Sequence, residues 1–371
     1  MSEIDTFLLE RNQSLHENAV EINLTESGVE PLTLAGLLSP EELNELHRLR
    51  LGYNYTEGSP EARAAVATWY PGAAAENVLL TAGAAEANFI SAWALLGQDD
   101  VLAFMVPNFM QLHGLGRSLG AAVRTFPLDP KNNWQLDRDA FGAAAKDAKL
   151  IALCNPNNPS GAVLSESDMA AIAETARAND AWLLCDEIYR GSELDGRAET
   201  PTFWGRYEKT IVTSSTSKSL AHAGLRVGWV VAPPAFIYEC MRRQDYTTIG
   251  TGPINQFVAA KLLAPEKRSA ILERSRAILG RNLAIVDDWI ARWNGRLAYD
   301  RPAAGGMVFV RYDFRIGSSE LSKLLREKES TFVVAGEWFG MDGHLRIGTG
   351  GHAHELEEGL KRIDRVLASI G

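Results

Sequence analysis

The chain is poor in cysteine and has no long apolar run. Its three cysteines among 371 residues, Cys154, Cys185 and Cys240, form an odd set without paired spacing. This argues against a disulfide framework and against a zinc site, so we expect buried, reduced thiols. No uninterrupted apolar stretch reaches the ~18 residues that a membrane helix needs, so we expect no membrane partner.

Positive charge is also in deficit. The 37 Lys and Arg residues against 47 Asp and Glu residues give a formal net charge of −10. A chain this acidic repels phosphates on average, so we expect no nucleic acid partner. The first residues, MSEIDTFLLERNQ, are acidic and polar and do not resemble a signal peptide, which favours a cytoplasmic location.

Short apolar runs alternate with helical patterns from about residue 78. The runs cover residues 78–81, 101–106, 150–154, 182–185, 210–213 and 227–231. Continuous apolar strands separated by helices predict an α/β fold with a mostly parallel sheet covered on both faces. Polar clusters follow four of these runs, at the sheet edge where α/β proteins bind their ligands.

The pattern changes after about residue 270. A long helical stretch at 269–293 precedes strand-like pieces at 307–312, 332–334 and 345–347 and a terminal helix from about residue 354. We predict a large domain over residues 46–270. A smaller α/β domain is expected to combine residues 1–45 with residues 271–371.

The most specific motif surrounds Lys218. Residues 215–218 read Ser-Thr-Ser-Lys, and residues 224–228 read Gly-Leu-Arg-Val-Gly. The lysine amine can form an imine with an aldehyde, while the hydroxyls and the guanidinium of Arg226 can hold a phosphate of the same ligand. Glycine allows the backbone to pass close to such a ligand.

These segments resemble the lysine signature of the class I/II aminotransferases, the fold-type I enzymes that use pyridoxal 5'-phosphate (PLP). The resemblance covers roughly residues 20–365, with further motifs in the same order. It implies an aspartate aminotransferase-like fold, with a large domain of mostly parallel sheet flanked by helices and a smaller α/β domain. It also implies PLP bound to Lys218 as a Schiff base, with Ser215, Ser217 and Arg226 near the phosphate.

Two turns after apolar runs match further motifs of the family. Asp186 and Tyr189 match the acid that keeps the pyridine nitrogen protonated and the tyrosine that contacts the cofactor's phenolate oxygen. Asn158, in the segment Asn-Pro-Asn-Asn-Pro-Ser-Gly at 155–161, matches a side chain that reaches the same oxygen and borders the substrate. We expect the bond from Asn158 to Pro159 to be cis.

The remaining cofactor contacts are less specific. Gly83, Ala84 and Ala85 lie between a strand and a helix, where backbone N–H groups can cup a phosphate. Phe109 matches an aromatic ring that stacks on the pyridine ring in the family. Tyr53 resembles a tyrosine that crosses to the phosphate of a partner subunit, which implies a homodimer with shared sites. Tyr55 is an alternative for that role.

Two residues are candidates for substrate binding. Arg346 matches the family arginine that pairs with the α-carboxylate through both prongs of its guanidinium, a geometry that lysine lacks. Gly28 is a candidate for the small residue whose backbone lies near the same carboxylate. His352 and His354 lie at a predicted helix start and favour a solvated cap over a metal site, so no metal is expected. His222 is assigned no role.

The resemblance implies transfer of an amino group between an L-amino acid and a 2-oxo acid. Lys218 moves the Cα proton, and we expect imine formation and cationic neighbours to depress its pKa. The same framework hosts lyases, cyclases and oxidases, including enzymes of arginine derivatives in biosynthetic pathways, so these remain alternatives. A non-catalytic PLP-binding regulator is a remote alternative, because we find no basic winged-helix segment, and a scaffold role is remoter still.

Overall fold

The computed structural model describes residues 4–370. Its α-helices are α1 (Leu8–His16), α2 (Leu34–Leu37), α3 (Pro40–His47), α4 (Pro60–Ala67), α5 (Ala84–Leu95), α6 (Gln111–Ser118), α7 (Arg138–Ala145), α8 (Glu166–Ala178), α9 (Pro234–Gln244), α10 (Pro253–Leu262), α11 (Pro265–Ala291), α12 (Ser318–Glu329) and α13 (Ala353–Ile370). Short 3₁₀ turns occupy Ala75–Asn77, Pro130–Asn132, Ala223–Leu225 and Gly336–Phe339.

The strands form three separate sheets. They are β1 (Ile22–Asn23), β2 (Val78–Thr81), β3 (Val101–Val106), β4 (Ala122–Asp129), β5 (Gln135–Leu136), β6 (Leu150–Cys154), β7 (Trp182–Asp186), β8 (Thr210–Ser215), β9 (Gly228–Val231), β10 (Leu297–Ala298), β11 (Met307–Tyr312), β12 (Thr331–Phe332), β13 (Val334–Ala335) and β14 (His344–Gly348).

The central sheet has eight strands in the order β2-β9-β8-β7-β6-β3-β4-β5. The five strands from β8 to β4 run parallel, whereas β9 pairs antiparallel with both β8 and β2. Every residue of β2, β6, β8 and β9 is buried, because helices cover both faces of the sheet. The predicted α/β class with a mostly parallel sheet is confirmed.

Helix starts follow from local capping. Ser165 begins α8 by accepting a hydrogen bond from the backbone N–H of Asp168, and Ser39 begins α3 with a full capping box. Gly83 precedes α5 with φ of 92°, a conformation that favours glycine. This last turn directs the start of α5 toward the carboxyl ends of the parallel strands.

A second sheet is fully antiparallel, with the order β10-β11-β14-β13. The expected strand at 332–334 is divided between β12 and β13, and β12 pairs in parallel with β1 of the N-terminal segment. Leu24 and Val29 pack in the core of this C-terminal part, as expected. Leu9 and Leu37, however, join the core of the central sheet. The N-terminal segment therefore contacts both halves, and the division into domains at residues 46 and 270 stays a prediction.

Two further properties concern residues 4–370 as a whole. None of the helices in this range combines the length and the apolar character needed to span a membrane. The three cysteines are free and buried, as the sequence predicts.

Candidate active site

A cavity of about 410 Å³ lies at the carboxyl edge of the central sheet. Asp186 ends β7, Ser215 ends β8, and Asn158 lies in the loop after β6, so parallel neighbouring strands deliver them to one place. The predicted site residues that line this cavity are Ala84, Ala85, Phe109, Asn158, Asp186, Tyr189, Ser215, Ser217, Lys218, Arg226 and Arg346.

Lys218 forms an ion pair that the sequence did not reveal. Its Nζ lies 2.5 Å from Oε1 of Glu26, and the backbone N–H of Gly28 donates to the same oxygen at 2.7 Å. Burial alone raises the pKa of Glu26, but Lys218 outweighs it and lowers that pKa to about 2. The Glu26 side chain is 55% exposed in the open cleft, so solvent screens the energy of this pair.

The expectation that cationic neighbours depress the pKa of Lys218 is wrong for this structure. Burial does lower the pKa of Lys218, and Arg346 lowers it further. The carboxylate of Glu26 and the hydroxyl of Tyr189 act in the opposite direction and prevail, so the pKa is raised. The prediction failed because it counted the cations near Lys218 without the carboxylate that lies far away in sequence.

Asp186 is held by hydrogen bonds. Asn88 Nδ2 donates to its Oδ2 at 3.0 Å, and the backbone N–H of Ile188 donates to its Oδ1 at 3.1 Å. Thr213 donates to Oδ1 of Asn88 at 2.7 Å, which fixes the orientation of the amide. Burial is the main influence and raises the pKa of Asp186 to about 6. A buried carboxylate in this setting favours a cationic partner.

Tyr189 lies beside Lys218 with its hydroxyl in the cavity. Its hydroxyl is hydrogen-bonded to that of Ser27 at 2.8 Å, and burial raises its pKa. Ser217 and Ser215 are buried nearby, and the Ser217 backbone N–H donates to the Ser215 hydroxyl at 3.1 Å. The hydroxyl-bearing side chains of Tyr189, Ser215 and Ser217 thus border the same cavity as Lys218.

Arg226 lines the other end of the cavity, and Gly83 lies behind its guanidinium. A Cβ added to Gly83 would lie 2.6 Å from Nη2 of Arg226, and the φ of 92° disfavours any side chain here. Arg226 itself has φ of 51°, in the left-handed region that non-glycine residues rarely adopt. Its guanidinium donates to the carbonyls of Ala82 and Ala223 beside the start of α5. A guanidinium next to a helix start is a site for an anion.

Arg346 is 2% exposed and reaches the cavity from β14. Nη1 donates to Oδ1 of Asn158 at 3.0 Å, and Nη2 donates to the carbonyl of Thr25 at 2.6 Å. Its buried Nε has no hydrogen-bond partner among residues 4–370. The bond from Asn158 to Pro159 is cis, as predicted. Arg346 and Asn158 together offer donors for a carboxylate.

Phe109 lines the cavity, and Phe7 contacts its ring edge-on with centroids 4.7 Å apart. Phe7 directly precedes α1, which lies along one side of the cavity. The N-terminal segment therefore contributes to the site directly, which the sequence pattern did not indicate.

Three predicted residues do not line the cavity of this chain. Gly83 lies behind the Arg226 guanidinium, and Gly28 lies next to Lys218, where an added Cβ would meet the Ser217 carbonyl oxygen at 3.0 Å. Tyr53 is 95% exposed and lines a separate groove with Tyr55. Its role at a partner subunit stays a prediction.

Sequence reasoning missed Glu26, Asn88 and the polar face of α1. The acidic and polar residues of α1 recur at positions 10, 13, 14 and 17, a spacing that places them on one helix face. That spacing was visible in the sequence, but nothing in it indicated that this face borders the cavity. The pairing of Glu26 with Lys218 joins residues 192 positions apart and has no local signal.

Known proteins are similar to this chain in sequence and in fold. Residues 22–363 match the model of the family "Aminotransferase class I and II". Capreomycidine synthase of Streptomyces vinaceus is 28% identical over 352 residues, which are 94% of this chain and 90% of that protein. Arginine–pyruvate transaminase of Pseudomonas aeruginosa is 30% identical over 303 residues, which are 80% of this chain and 76% of that protein.

A solved structure agrees with these similarities. A PLP-dependent aminotransferase from Streptococcus suis has a TM-score of 0.93 and 30% sequence identity, with 100% of this chain and 99% of that chain covered. The family match extends over most of the chain, and the structural match extends over all of it. The chain therefore belongs to the class I and II aminotransferases, a family of PLP-dependent fold-type I enzymes.

Proposed function

We propose that the protein is a PLP-dependent aminotransferase that moves an amino group between an L-amino acid and a 2-oxo acid. The observation that carries this proposal is the convergence of Lys218, Asp186, Tyr189, Arg226 and Arg346 on one cavity of about 410 Å³. Each matches a family motif, and each brings the functional group that its role requires.

The residues present fit the cofactor. Three kinds of hydrogen-bond donor suit its phosphate, because each donates to anions. They are the guanidinium of Arg226, the hydroxyls of Ser215 and Ser217, and the backbone N–H groups at the start of α5. The close approach of Gly83 to Arg226 leaves no room for a side chain there. Asp186, whose burial disfavours an unpaired carboxylate, suits a protonated ring nitrogen.

The other contacts follow the same assignment. Phe109 offers a ring face for stacking, and Asn158 and Tyr189 offer donors for the cofactor's phenolate oxygen. When bound, PLP supplies an electron sink that stabilises negative charge at the substrate Cα. Lys218 would accept the Cα proton on its Nζ and release it again, and Arg346 would orient the substrate through its carboxylate.

We further propose that the enzyme works as a cytoplasmic homodimer with shared sites. Tyr53 supports the shared arrangement, because it matches a family motif yet is 95% exposed and lies outside the cavity of its own chain. In a dimer it would contact the phosphate in the partner subunit's site. Cross-linking or sedimentation of the wild type tests the dimer. Transamination should then fall in Tyr53→Phe and remain in Tyr55→Phe.

The direct test of the assignment is Lys218→Ala. With PLP added, this variant should lose the visible absorption band of lysine-bound cofactor, and transamination should fall by at least about 10³-fold. Lys209→Ala is the matched control, since Lys209 pairs with Asp180 on the surface. A Lys218→Ala variant that keeps both the band and the activity would contradict the proposal.

A cyclase acting on an arginine derivative is the second candidate. The similarity to capreomycidine synthase, which extends over 94% of this chain, favours it. The two candidates differ in their products, because a transaminase releases a 2-oxo acid and a cyclase releases a ring that retains the amino group. Mass analysis of products from a screen of amino acids separates them. It also detects elimination or oxidation.

A further inference from the structure

The part of the cavity wall that the N-terminal segment forms is acidic. We call it the N-terminal wall and define it by Glu10, Gln13, Ser14 and Glu17 from α1 and its end, together with Glu26. Positions 10, 13, 14 and 17 have helical spacing, so one face of α1 and its end borders the cavity.

The carboxylates of this wall have few cationic partners. Glu10 and Glu17 have no ion pair within 4 Å in the part of the chain that the structure describes, whereas Glu26 pairs with Lys218. Burial raises the pKa of Glu10, and the negative charges of Glu17 and Glu26 raise it further. The positive charges of Lys218 and Arg346 lower this pKa but do not offset the increase. The charges of Glu17 and Glu26 therefore act unfavourably on an ionised Glu10, and a cation bound beside Glu10 would relieve that repulsion.

The cations of the cavity all have other roles under the proposed function. Those that line it within residues 4–370 are Lys218, Arg226 and Arg346. Arg226 binds the cofactor phosphate and Arg346 the substrate carboxylate. Lys218 must be a neutral amine when it accepts the Cα proton, so Glu26 then loses its partner. Among the described residues that line the cavity, no other guanidinium or ammonium group remains for a second carboxylate on the substrate.

An independent observation fixes which end of a ligand faces Arg346. This side chain is 2% exposed, lines the cavity, and has a buried Nε without a hydrogen-bond partner among the described residues. A guanidinium that lines a cavity suits a carboxylate, because its planar fork of N–H donors matches the two carboxylate oxygens. A ligand with its carboxylate on Arg346 therefore shares the cavity with an acidic wall that is free to contact its other end.

We infer that the N-terminal wall selects amino acids whose side chain ends in a cation, the class of lysine, ornithine and arginine. This inference rests on the proposed function and names the substrate class of the same site. Glu10 and Glu17 attract the ammonium or guanidinium group, and Glu26 adds its charge once Lys218 is neutral. A substrate with an acidic side chain is repelled by the same three groups.

The test compares L-lysine with L-norleucine, which lacks only the ε-ammonium group. In the PLP-supplemented wild type, kcat/KM should be higher for lysine. Glu10→Gln combined with Glu17→Gln should lower the lysine to norleucine ratio by at least about tenfold, the equivalent of about 1.4 kcal/mol. Glu10→Lys should reverse the preference toward L-glutamate. Parallel measurements with L-arginine distinguish guanidinium from ammonium selectivity.

Glu41→Gln is the matched control, because it removes the same charge from α3, away from the cavity. The inference is overturned if the double variant keeps the wild-type ratio, or if it slows lysine and norleucine equally. It is also overturned if Glu41→Gln changes the ratio as much, since a general charge effect would then be the cause.

A second measurement separates this inference from the proposed function. If no amino acid is transaminated or PLP gives no lysine-bound band, the proposed function fails. Calorimetric titration of the same PLP-supplemented proteins with lysine and norleucine still measures the preference of the cavity. The inference is supported if the wild type binds lysine more tightly than norleucine and the double variant does not. Equal affinities of the wild type for lysine and norleucine contradict it.

Discussion

The two sides of the cleft differ in whether protein hydrogen bonds hold their charged side chains. On the sheet side, the charged groups are held by protein hydrogen bonds, as Asp186 is by Asn88 and Arg226 is by the Ala82 carbonyl. On the N-terminal wall, Glu10 and Glu17 have no such partners in the described chain. Side chains held by protein hydrogen bonds suit a cofactor that remains bound. Side chains without such bonds can instead bind successive substrates. Under the two proposals, the chemistry belongs to the strand ends and the choice of substrate to the N-terminal segment.

The largest effect should come from the sheet side. Asp186→Asn removes the charge that we assign to the cofactor's ring nitrogen, so kcat should fall by roughly 10²–10³-fold while substrate binding changes less. Steady-state kinetics with saturating PLP measures it. Asp168→Asn is the control, because Asp168 is a buried carboxylate paired with Arg138 outside the cleft. Equal losses in both variants would indicate a structural effect and contradict the assignment.

Arg346→Lys should have the next largest effect. Lysine keeps the charge but loses the two-pronged contact, so kcat/KM for an amino acid should fall by about 10- to 100-fold. The comparison substrate is the corresponding amine without its α-carboxylate, whose reaction should be insensitive to the change. An equal loss with both substrates would remove Arg346 from carboxylate binding.

The attachment of the N-terminal wall can be weakened separately. Phe7→Ala removes the edge contact with Phe109 and should cost about 1 kcal/mol, chiefly by loosening α1. Hydrogen exchange should accelerate at residues 8–16 and stay unchanged at residues 150–154. Phe314→Ala, which removes an aromatic contact with Trp293 elsewhere, is the control. Uniform acceleration across the chain would show that the two sides are not independent.

The smallest effect concerns pH and Glu26. Its pKa in the cofactor-free fold is about 2, against an ordinary value of 4.5, so its ionised form stabilises the folded state above about pH 4.5. This contribution is lost as pH falls toward 2, and solvent exposure limits it to about 1 kcal/mol. Urea titrations give the free energies of unfolding of the wild type and of Glu26→Gln. The excess stability of the wild type over the variant should therefore shrink as pH falls from ~5 to ~2. A difference that grows on acidification would contradict the ion pair.

The sequence was informative where local pattern and tertiary structure agree. Strands such as β6 and β8 are apolar throughout because both faces of the sheet are covered, and the turns that follow them carry recognisable motifs. Strand β4 was missed because it lies toward the sheet edge, contains Pro127 and alternates between exposed and buried positions.

The limits of prediction in the site have the same origin. Lys218 was identified from its neighbours in the sequence, but the direction of its pKa shift depends on Glu26, which only the folded chain brings within 2.5 Å. Asn88 likewise reaches Asp186 from the middle of α5. Local motifs thus identify the reacting groups, whereas the groups that adjust them come from distant segments.

The most direct test of the central claim is borohydride reduction of the PLP-supplemented protein, followed by mass analysis of its peptides. Reduction makes an imine between an amine and the cofactor permanent, and it needs no substrate. The account predicts a pyridoxyl group on Lys218 and none on Lys209. A chain reduced under these conditions with residue 218 unmodified would contradict it.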